Sequence, residues 1–429
     1  MQELKKGDVL AVVGGSITVE KELARGGQGI VYLAQFGGKK YALKWFFEDY
    51  IQNEKFIRNI KRNVEKGSPG KAFIWPLLFV EDARGKGYQM ELYPDDPNFC
   101  EMQRFISGKE NGVAFANFNA MINAALNLCE AFRALHLKGL SYQDLNDTNF
   151  LFNRETGEVF ICDNDNAAPD GEAMVEGYPG FIAPEVISGR ANPSSLTDLY
   201  SLAVVLFRLF YIDHPLVGRY VLEKWPISSN NAERIYMGTE PMFVFDPAND
   251  KNRPDKFCAP NLVLRWDIYP DVLRRMFTEA FTEGIKNPNS RRSVKGWMEE
   301  LIKTRDRLVR YQEGGKIREQ FADFRDRNSL KKLGGVRALA VEGYAVALYP
   351  GKAIYKCHTE KGSMDYRTVT GGVIASGKPG VFGLRNMSGK SWEVTRPGEP
   401  PRMAADGSAV LLQAGTVIKF GGGCEGVIH

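Results

Sequence analysis

The run Leu23-Ala24-Arg25-Gly26-Gly27-Gln28-Gly29-Ile30-Val31 is the first place in this sequence where the residue types suggest chemistry. Glycines let backbone N–H groups approach phosphate oxygens closely and tolerate positive φ. Taken alone, the run reads equally well as a surface hairpin. Lys44 tips the balance, because it closes the β-rich run Tyr41-Ala42-Leu43 a short interval downstream. A lysine inside an apolar strand is costly to bury unpaired. The α- and β-phosphates of a nucleotide would pair it; a strand-edge lysine in solvent is the alternative.

The glycine run and the strand-borne lysine resemble, in spacing, the phosphate loop and lysine of the protein kinase superfamily. Ala24 stands at the family's first glycine, which implies a slightly altered loop flexibility and retained binding. By this resemblance Ala24, Gly26, Gly27, Gly29 and Lys44 hold the phosphates of ATP. Ser141-Tyr142-Gln143-Asp144-Leu145-Asn146-Asp147-Thr148-Asn149 resembles the kinase catalytic loop. Asp144 would orient the acceptor hydroxyl and take its proton, and Asn149 would offer a carbonyl ligand to the metal. Ile161-Cys162-Asp163-Asn164-Asp165 resembles the metal-binding segment, with Asp163 as the metal carboxylate. Mg²⁺ favours hard oxygen donors, usually one or two carboxylates with phosphates and water; Mn²⁺ is the alternative ion. Each loop alone reads as an acidic turn, but their order and spacing together point to a kinase.

The likeness continues through Ala183-Pro184-Glu185, through Asp198-Leu199-Tyr200-Ser201-Leu202, whose aspartate would brace the catalytic loop, and through Pro288–Ser293, where Arg291 would pair with Glu185. Val31, Ala42 and Leu151 fall where the family sandwiches adenine, and Met90-Glu91-Leu92-Tyr93 falls at the hinge whose backbone, at Glu91 and Tyr93, would bond the adenine edge. Kinase-like sequence covers about residues 15–305. More narrowly, the Tyr-Gln-Asp-Leu-Asn-Asp-x-Asn loop, the Asp-Asn-Asp-Asn segment and Phe73-Ile74-Trp75-Pro76 resemble bacterial kinases of tellurite-resistance stress systems. That resemblance implies Ser/Thr specificity and, as partners, a PP2C-type phosphatase and a von Willebrand A protein.

Several residues depart from the family. Glu54 is the expected partner of Lys44, since Ile57 and Ile60 put an apolar face beside it; Glu48 and Glu65 compete. Gln143 replaces the arginine that receives an activation-loop phosphate. The segment Asp163–Glu185 has no Ser or Thr, and Tyr178 is its sole hydroxyl side chain. Both halves of the Arg–phosphate switch are missing, so control by phosphorylation there is not expected. Asp163, Asp165, Asp170, Glu172, Glu176 and Glu185 occupy that segment without a Lys or Arg, which would steer a basic protein substrate. Asp165 replaces a glycine and is read as a further metal ligand or as a cap for a neighbouring amide. Asn146 replaces a lysine near the γ-phosphate, so slow turnover is expected.

These groups need elements to position them. Ile17–Val19, Ile30–Leu33 and Tyr41–Lys44 read as strands, 49–65 as a helix stopped by Gly67-Ser68-Pro69, and Phe73–Phe79 and Tyr88–Leu92 as strands again. Ala124–Leu135 and Thr197–Phe210 read as long apolar helices, and 297–335 as charge-rich helix. After residue 336 glycine becomes frequent and alternation returns, in Ala338–Leu348, Ala353–Cys357, Gly372–Ala375, Ser391–Val394 and Thr416–Phe420. The expected fold class is α+β: a bilobal protein kinase fold with a β-rich N-lobe (1–94) and a helical C-lobe (95–312), a helical connector (313–335) and a small all-β sandwich (336–429). The last vaguely resembles a forkhead-associated fold without its phosphothreonine-reading loops; a docking or regulatory role is expected, with Arg385 and Lys390 as surface charges or ligands.

Composition bounds the alternatives. With 44% hydrophobic and 25% charged residues the chain is not a disordered one. A net charge of +4 is too mild to argue for nucleic acid. Six scattered cysteines form no CxxC pair, and no leader or membrane-spanning run is evident, so a reduced cytoplasmic protein that binds no membrane is expected. Beside an ATP- and Mg-dependent protein kinase stand two other readings, a pseudokinase scaffold and a small-molecule phosphotransferase.

Overall fold

The computed structural model describes residues 1–106, 112–174, 177–178, 180–225, 230–324, 326, 333, 336–378 and 380–429. Strands β1 (Val9–Val12), β2 (Gly15–Arg25), β3 (Gly29–Phe36), β4 (Lys39–Phe46), β5 (Leu78–Asp82) and β6 (Gly85–Met90) form one sheet in the order β1-β2-β3-β4-β6-β5. All its pairings are antiparallel. Successive side chains of a strand point to opposite faces, and β4 uses this to place the lysine. Leu43 and Trp45 enter one core with Leu10, Ile17, Ile30 and Val80. Ala42 and Phe46 face the other way, into a cluster with Ile57, Ile60, Met90, Leu151 and Cys162. Lys44 shares that second face and is buried.

The expected helix over 49–65 comes in two pieces, α1 (Glu48–Ile51) and α2 (Glu54–Lys66). Asn53 divides them and caps α2, its side chain accepting from Phe56 N at 3.1 Å. Phe73–Leu77 is not a strand; Phe73 makes one bridge to Ile161, and β5 starts at Leu78. The following part is mainly helical, as expected. It includes α3 (Met102–Ile106), α4 (Phe118–Leu137), α5 (Pro184–Ile187) and α6 (Ser195–Tyr211). Ser194 and Thr197 close a capping box at the start of α6, and all but four of its 17 residues are buried. A three-stranded sheet of β7 (Phe99–Glu101), β8 (Phe150–Asn153) and β9 (Val159–Ile161) follows the 141–149 loop and leads into the 162–166 turn.

Two compact units result: Met1–Ala116, Asn123–Trp266 and Arg275–Lys295 form the first; Asn117–Ile122, Asp267–Arg274 and Gly296–His429 form the second. In the second, the start of the expected helical connector is a hairpin instead. Strands β10 (Leu308–Glu313) and β11 (Lys316–Phe321) pair Glu313 with Lys316 across Gly314 and Gly315. Both glycines have positive φ, 56° and 76°, as a tight two-residue hairpin turn requires. Part of the connector, 325, 327–332 and 334–335, lies outside the described residues.

The all-β region forms two sheets. One joins β12 (Arg337–Val341), β13 (Tyr344–Leu348), β17 (Trp392–Thr395), β18 (Arg402–Ala404), β20 (Val417–Lys419) and β21 (Glu425–Ile428) in the order β13-β12-β21-β20-β17-β18. The other joins β14 (Ala353–Tyr355), β15 (Val369–Ala375), β16 (Phe382–Asn386) and β19 (Ala409–Leu411) in sequence order. Leu339, Val346, Trp392 and Ile418 from the first sheet share a core with Ile354, Val373, Leu384 and Val410 from the second. Trp392 meets Phe420 edge-on with centroids 5.0 Å apart, worth about 0.5–1.5 kcal/mol beyond area burial. Lys356–Thr359 is a single helical turn where strand was expected to continue to Cys357. Among the described residues no helix is long and apolar enough to cross a membrane.

Candidate active site

The glycine loop joins β2 to β3, with Gly26 N donating to Gly29 O at 3.0 Å. Its glycines have different jobs. A Cβ on Gly29 would lie 2.2 Å from the Trp45 carbonyl oxygen, so Gly29 lets β3 and β4 approach. A Cβ on Gly26 or Gly27 would meet nothing within 4 Å. Those two leave open backbone, the kind of cradle that phosphate oxygens fit. Ala24 pairs with Val31 at the root of the loop.

Lys44 sits beneath it. Its Nζ donates to Asp165 Oδ2 at 2.6 Å, to Gln28 Oε1 at 2.8 Å and to Asp163 Oδ1 at 3.1 Å. Burial alone would push the ammonium down, but the carboxylates of Asp165 and Asp163 more than offset this and hold it above its ordinary value. Glu54 is not a partner: it is exposed in the first turn of α2. Glu65 is exposed too, and Glu48 pairs with the N-terminal amine. The expected α2 glutamate pairing is therefore corrected. The face of α2 that turns inward carries Asn59 and Asn63 among Phe56, Ile57 and Ile60.

The two acidic loops are locked together by backbone and amide bonds. Cys162 N donates to Asn149 O at 2.9 Å, which sets Asp163 beside Asn149. The side chain of Asn149 donates to Asp144 O at 2.9 Å, and Asn166 Nδ2 donates to Asp144 Oδ2 at 3.1 Å. Asn146 Nδ2 is 3.5 Å from Asp144 Oδ1. The Tyr142 hydroxyl donates to the Cys162 carbonyl. Asp198 braces the loop from α6, accepting Tyr142 N at 2.8 Å and lying 3.0 Å from His136 Nε2. Asp163 takes left-handed backbone, φ 48° and ψ 52°, which turns its carboxylate out of strand geometry. Burial, then the charges of Asp165 and Asp163, push the Asp144 carboxyl above the usual range.

Val31, Ala42, Leu151 and Met90 meet in one apolar cluster, as expected of an adenine slot. Glu91 is exposed just past β6. Tyr93 is half exposed two residues further on. The donor set suits a hard divalent ion: the Asp163 carboxylate, 47% exposed, and the Asn149 carboxamide carbonyl. Among the described residues no three His, Cys, Asp or Glu side chains are grouped to hold a metal by themselves; two protein oxygens need phosphate and water to complete a shell.

Arg291 grips Glu185 by two bonds, 2.6 and 2.8 Å, as expected. Gln143, at φ 69°, donates to Glu172 O at 3.0 Å and accepts Met174 N at 3.0 Å. The acids of the 163–185 segment are occupied. Glu172 is held by Arg62, Asp170 accepts Ser195 N and Oγ at 2.7 Å each, and Glu185 is held by Arg291. Glu176 lies outside the described residues. Gln28, Asn59, Asn63, Asn164 and Asn166 are site residues that motif spacing missed; an asparagine on the apolar stripe of α2 was the available signal.

Similar proteins bear on this geometry. Serine/threonine-protein kinase 40 of Homo sapiens is 32% identical over 87 residues, 19% of this chain and 20% of that one. Serine/threonine-protein kinase PknD of Chlamydia abortus is 23% identical over 227 residues, 45% of this chain and 24% of that one. The matched parts thus span a fifth to a quarter of those relatives' lengths. The Mycobacterium tuberculosis PknI kinase domain superposes with a TM-score of 0.45 at 17% identity, over 70% of this chain and 98% of that chain. A double mutant of the same domain gives a TM-score of 0.47 at 16% identity, over 71% of this chain and 100% of that one. The protein kinase domain family matches residues 17–242, more than half of the 429. The chain belongs to that family.

Proposed function

We propose that this protein is an ATP- and Mg-dependent protein kinase that phosphorylates Ser or Thr hydroxyls of a protein substrate. One observation carries the reading: a chain of bonds links the glycine loop, through Gln28 and Lys44, to Asp163, while Asn149 and Asn166 bond Asp144 beside it. Gly26 and Gly27 would receive phosphate oxygens, and Lys44 would neutralise their charge. Asn149 and Asp163 would hold a divalent ion, which supplies charge neutralisation at the phosphates when bound. Asp165, read from sequence as a third ligand, is engaged by Lys44 instead. Asp144 would accept the hydrogen bond and then the proton of the substrate hydroxyl; its raised basicity suits that task. Val31, Ala42 and Leu151 would enclose adenine.

Asp144→Ala tests the reading. Phosphate transfer from labelled ATP should fall by about 10²–10⁴-fold with nucleotide binding retained. Transfer by the wild type no faster than the background that the variant gives would leave the pseudokinase scaffold as the better description. The missing lysine at Asn146 favours slow turnover.

Control without activation-segment phosphorylation is part of the same proposal. The Gln143 amide holds Glu172 and Met174 where an arginine–phosphate pair would act, Arg62 holds Glu172, and Lys55 Nζ donates to Ala173 O at 2.8 Å. With Glu172 and Glu185 paired to arginines, and Asp163 and Asp165 to Lys44, the segment offers a basic substrate less field than its composition implies. Residues 336–429 would form a forkhead-associated-like docking module. A PP2C-type phosphatase and a von Willebrand A protein are the partners we would test first, in a cytoplasmic setting.

A further inference from the structure

A lysine enclosed as tightly as Lys44 needs a fixed counter-charge, because an unpaired ammonium in that position is strongly unfavourable. Helix α2 offers none. Its inward polar residues are the amides of Asn59 and Asn63, and Glu54 points to solvent. We propose that Asp165 is the positioning residue for Lys44, fixing the ammonium toward the nucleotide phosphates in the place of a helix-borne glutamate. The proposal rests on the nucleotide-binding reading above.

The two aspartates beside Lys44 are unequal. The Asp163 side chain is 47% exposed and its oxygen is 3.1 Å from the ammonium. The Asp165 side chain is fully enclosed and its oxygen is 2.6 Å away. Its second oxygen, Oδ1, has no hydrogen-bond partner, so the carboxylate depends on Lys44 alone for neutralisation. Asp163 can exchange the ammonium for another cation from solvent; Asp165 cannot do so without being uncovered.

The turn that carries Asp165 is pinned on every side. It is the 3₁₀ turn Asn164–Asn166. Asn164 Nδ2 donates to Ile74 O and Ile161 O, both at 2.8 Å. Asn59 Nδ2 donates to Asp165 O at 2.9 Å and to Ala167 O at 3.0 Å, and Asn63 Nδ2 reaches Ala167 O at 2.8 Å. Helix α2 thus holds the backbone of the turn, while the turn holds the lysine. The residue that positions the lysine and the proposed metal carboxylate, Asp165 and Asp163, thus lie two residues apart on one segment.

The test titrates the intact protein with the fluorescent nucleotide mant-ATP, once in EDTA and once in magnesium. In Asp165→Asn, affinity without metal should fall about ten-fold, the size of one lost charge-assisted contact. The magnesium needed for half-maximal binding should stay as in the wild type. Asp163→Asn should do the reverse, keeping the metal-free affinity and raising the magnesium requirement. An Asp165→Asn protein with wild-type metal-free affinity and a raised magnesium requirement would make Asp165 a metal ligand and overturn the proposal. Where Asp165→Asn melts early, a wild-type crystal structure with AMP-PNP and magnesium decides. Lys44 Nζ still bonded to Asp165 supports the proposal; Asp165 on the metal with Lys44 paired elsewhere overturns it. Asp144→Asn serves as the background for transfer: if the wild type transfers no more phosphate than this variant's background, the kinase reading fails while the metal-free titration still reports on Asp165.

Discussion

Each compact unit sets a buried lysine against an enclosed aspartate, and the two clusters are built differently. In the first, Lys44 faces Asp165 and Asp163, and Asp163 keeps about half of its side chain in solvent. In the second, Asp306 takes His358 Nε2 at 2.9 Å and lies 3.9 Å from Lys352 Nζ, with exposures of 0%, 0% and 7%. Tyr355 N donates to His358 Nδ1 at 2.9 Å, so both ring nitrogens are used. Arg305, next in line, lies over the Tyr355 ring at 4.2 Å. The second cluster is shut off from solvent, although Asp306 Oδ1 accepts no hydrogen bond. The first leaves the Asp163 carboxylate half exposed. Full enclosure of opposite charges serves a fold; enclosure with one member facing out prepares a site.

The contrast can be broken by matched substitutions. Asp306→Asn leaves buried cations uncompensated and should cost about 3–5 kcal/mol in urea unfolding, with phosphate transfer per folded molecule unchanged. Asp163→Asn should reverse the pattern: transfer should drop by about 10²–10³-fold, while stability shifts by less than about 1 kcal/mol because the carboxylate is half exposed. If both variants lose stability equally, the distinction drawn here is wrong.

A pH series sharpens it. Burial, opposed by Asp306, lowers the Lys352 ammonium to about 8 from an ordinary 10.5. Between those values the unfolded chain holds the proton that the folded chain has released. Stability should therefore rise with pH across that window, by at most about 1.4 kcal/mol per unit. Lys352→Met should remove the rise, measured as urea midpoints at pH 8 and pH 10. Lys44, held protonated by Asp165 and Asp163, should give no such rise in the first unit. The smallest effect is expected for Glu54→Ala, within about 0.5 kcal/mol and with transfer at wild-type level, since Glu54 touches neither cluster. A large loss there would reinstate Glu54 as the partner of Lys44.

That Lys44, Asp144, Asn149 and Asp163 come together, that Asp198 braces the loop and that Arg291 pairs with Glu185 was legible because each sits in a short motif with fixed spacing. The partner of Lys44 was not. Ile57 and Ile60 give the apolar stripe of α2, but Asn59 lies on that stripe and Glu54 off it. A buried asparagine leaves no charge pattern in sequence, and its acceptor is more than a hundred residues away. The connector was misread for a different reason. Leu308–Phe321 is polar because most of that hairpin is exposed, and Gly314-Gly315, which reads as a helix stop, is a turn with positive φ. Composition reports exposure there, not element type. The sandwich was read correctly, since alternation survives in strands with one buried face.

Asn59 and Asn63 have one more consequence. Their amides carry no net charge and do not titrate, so the grip of α2 on the turn beneath the cleft is not screened by dissolved ions as an exposed ion pair would be. Raising salt or moving away from neutral pH weakens the Arg62–Glu172 and Lys61–Glu81 pairs on the outer side of this helix and leaves the amide grip beneath it intact.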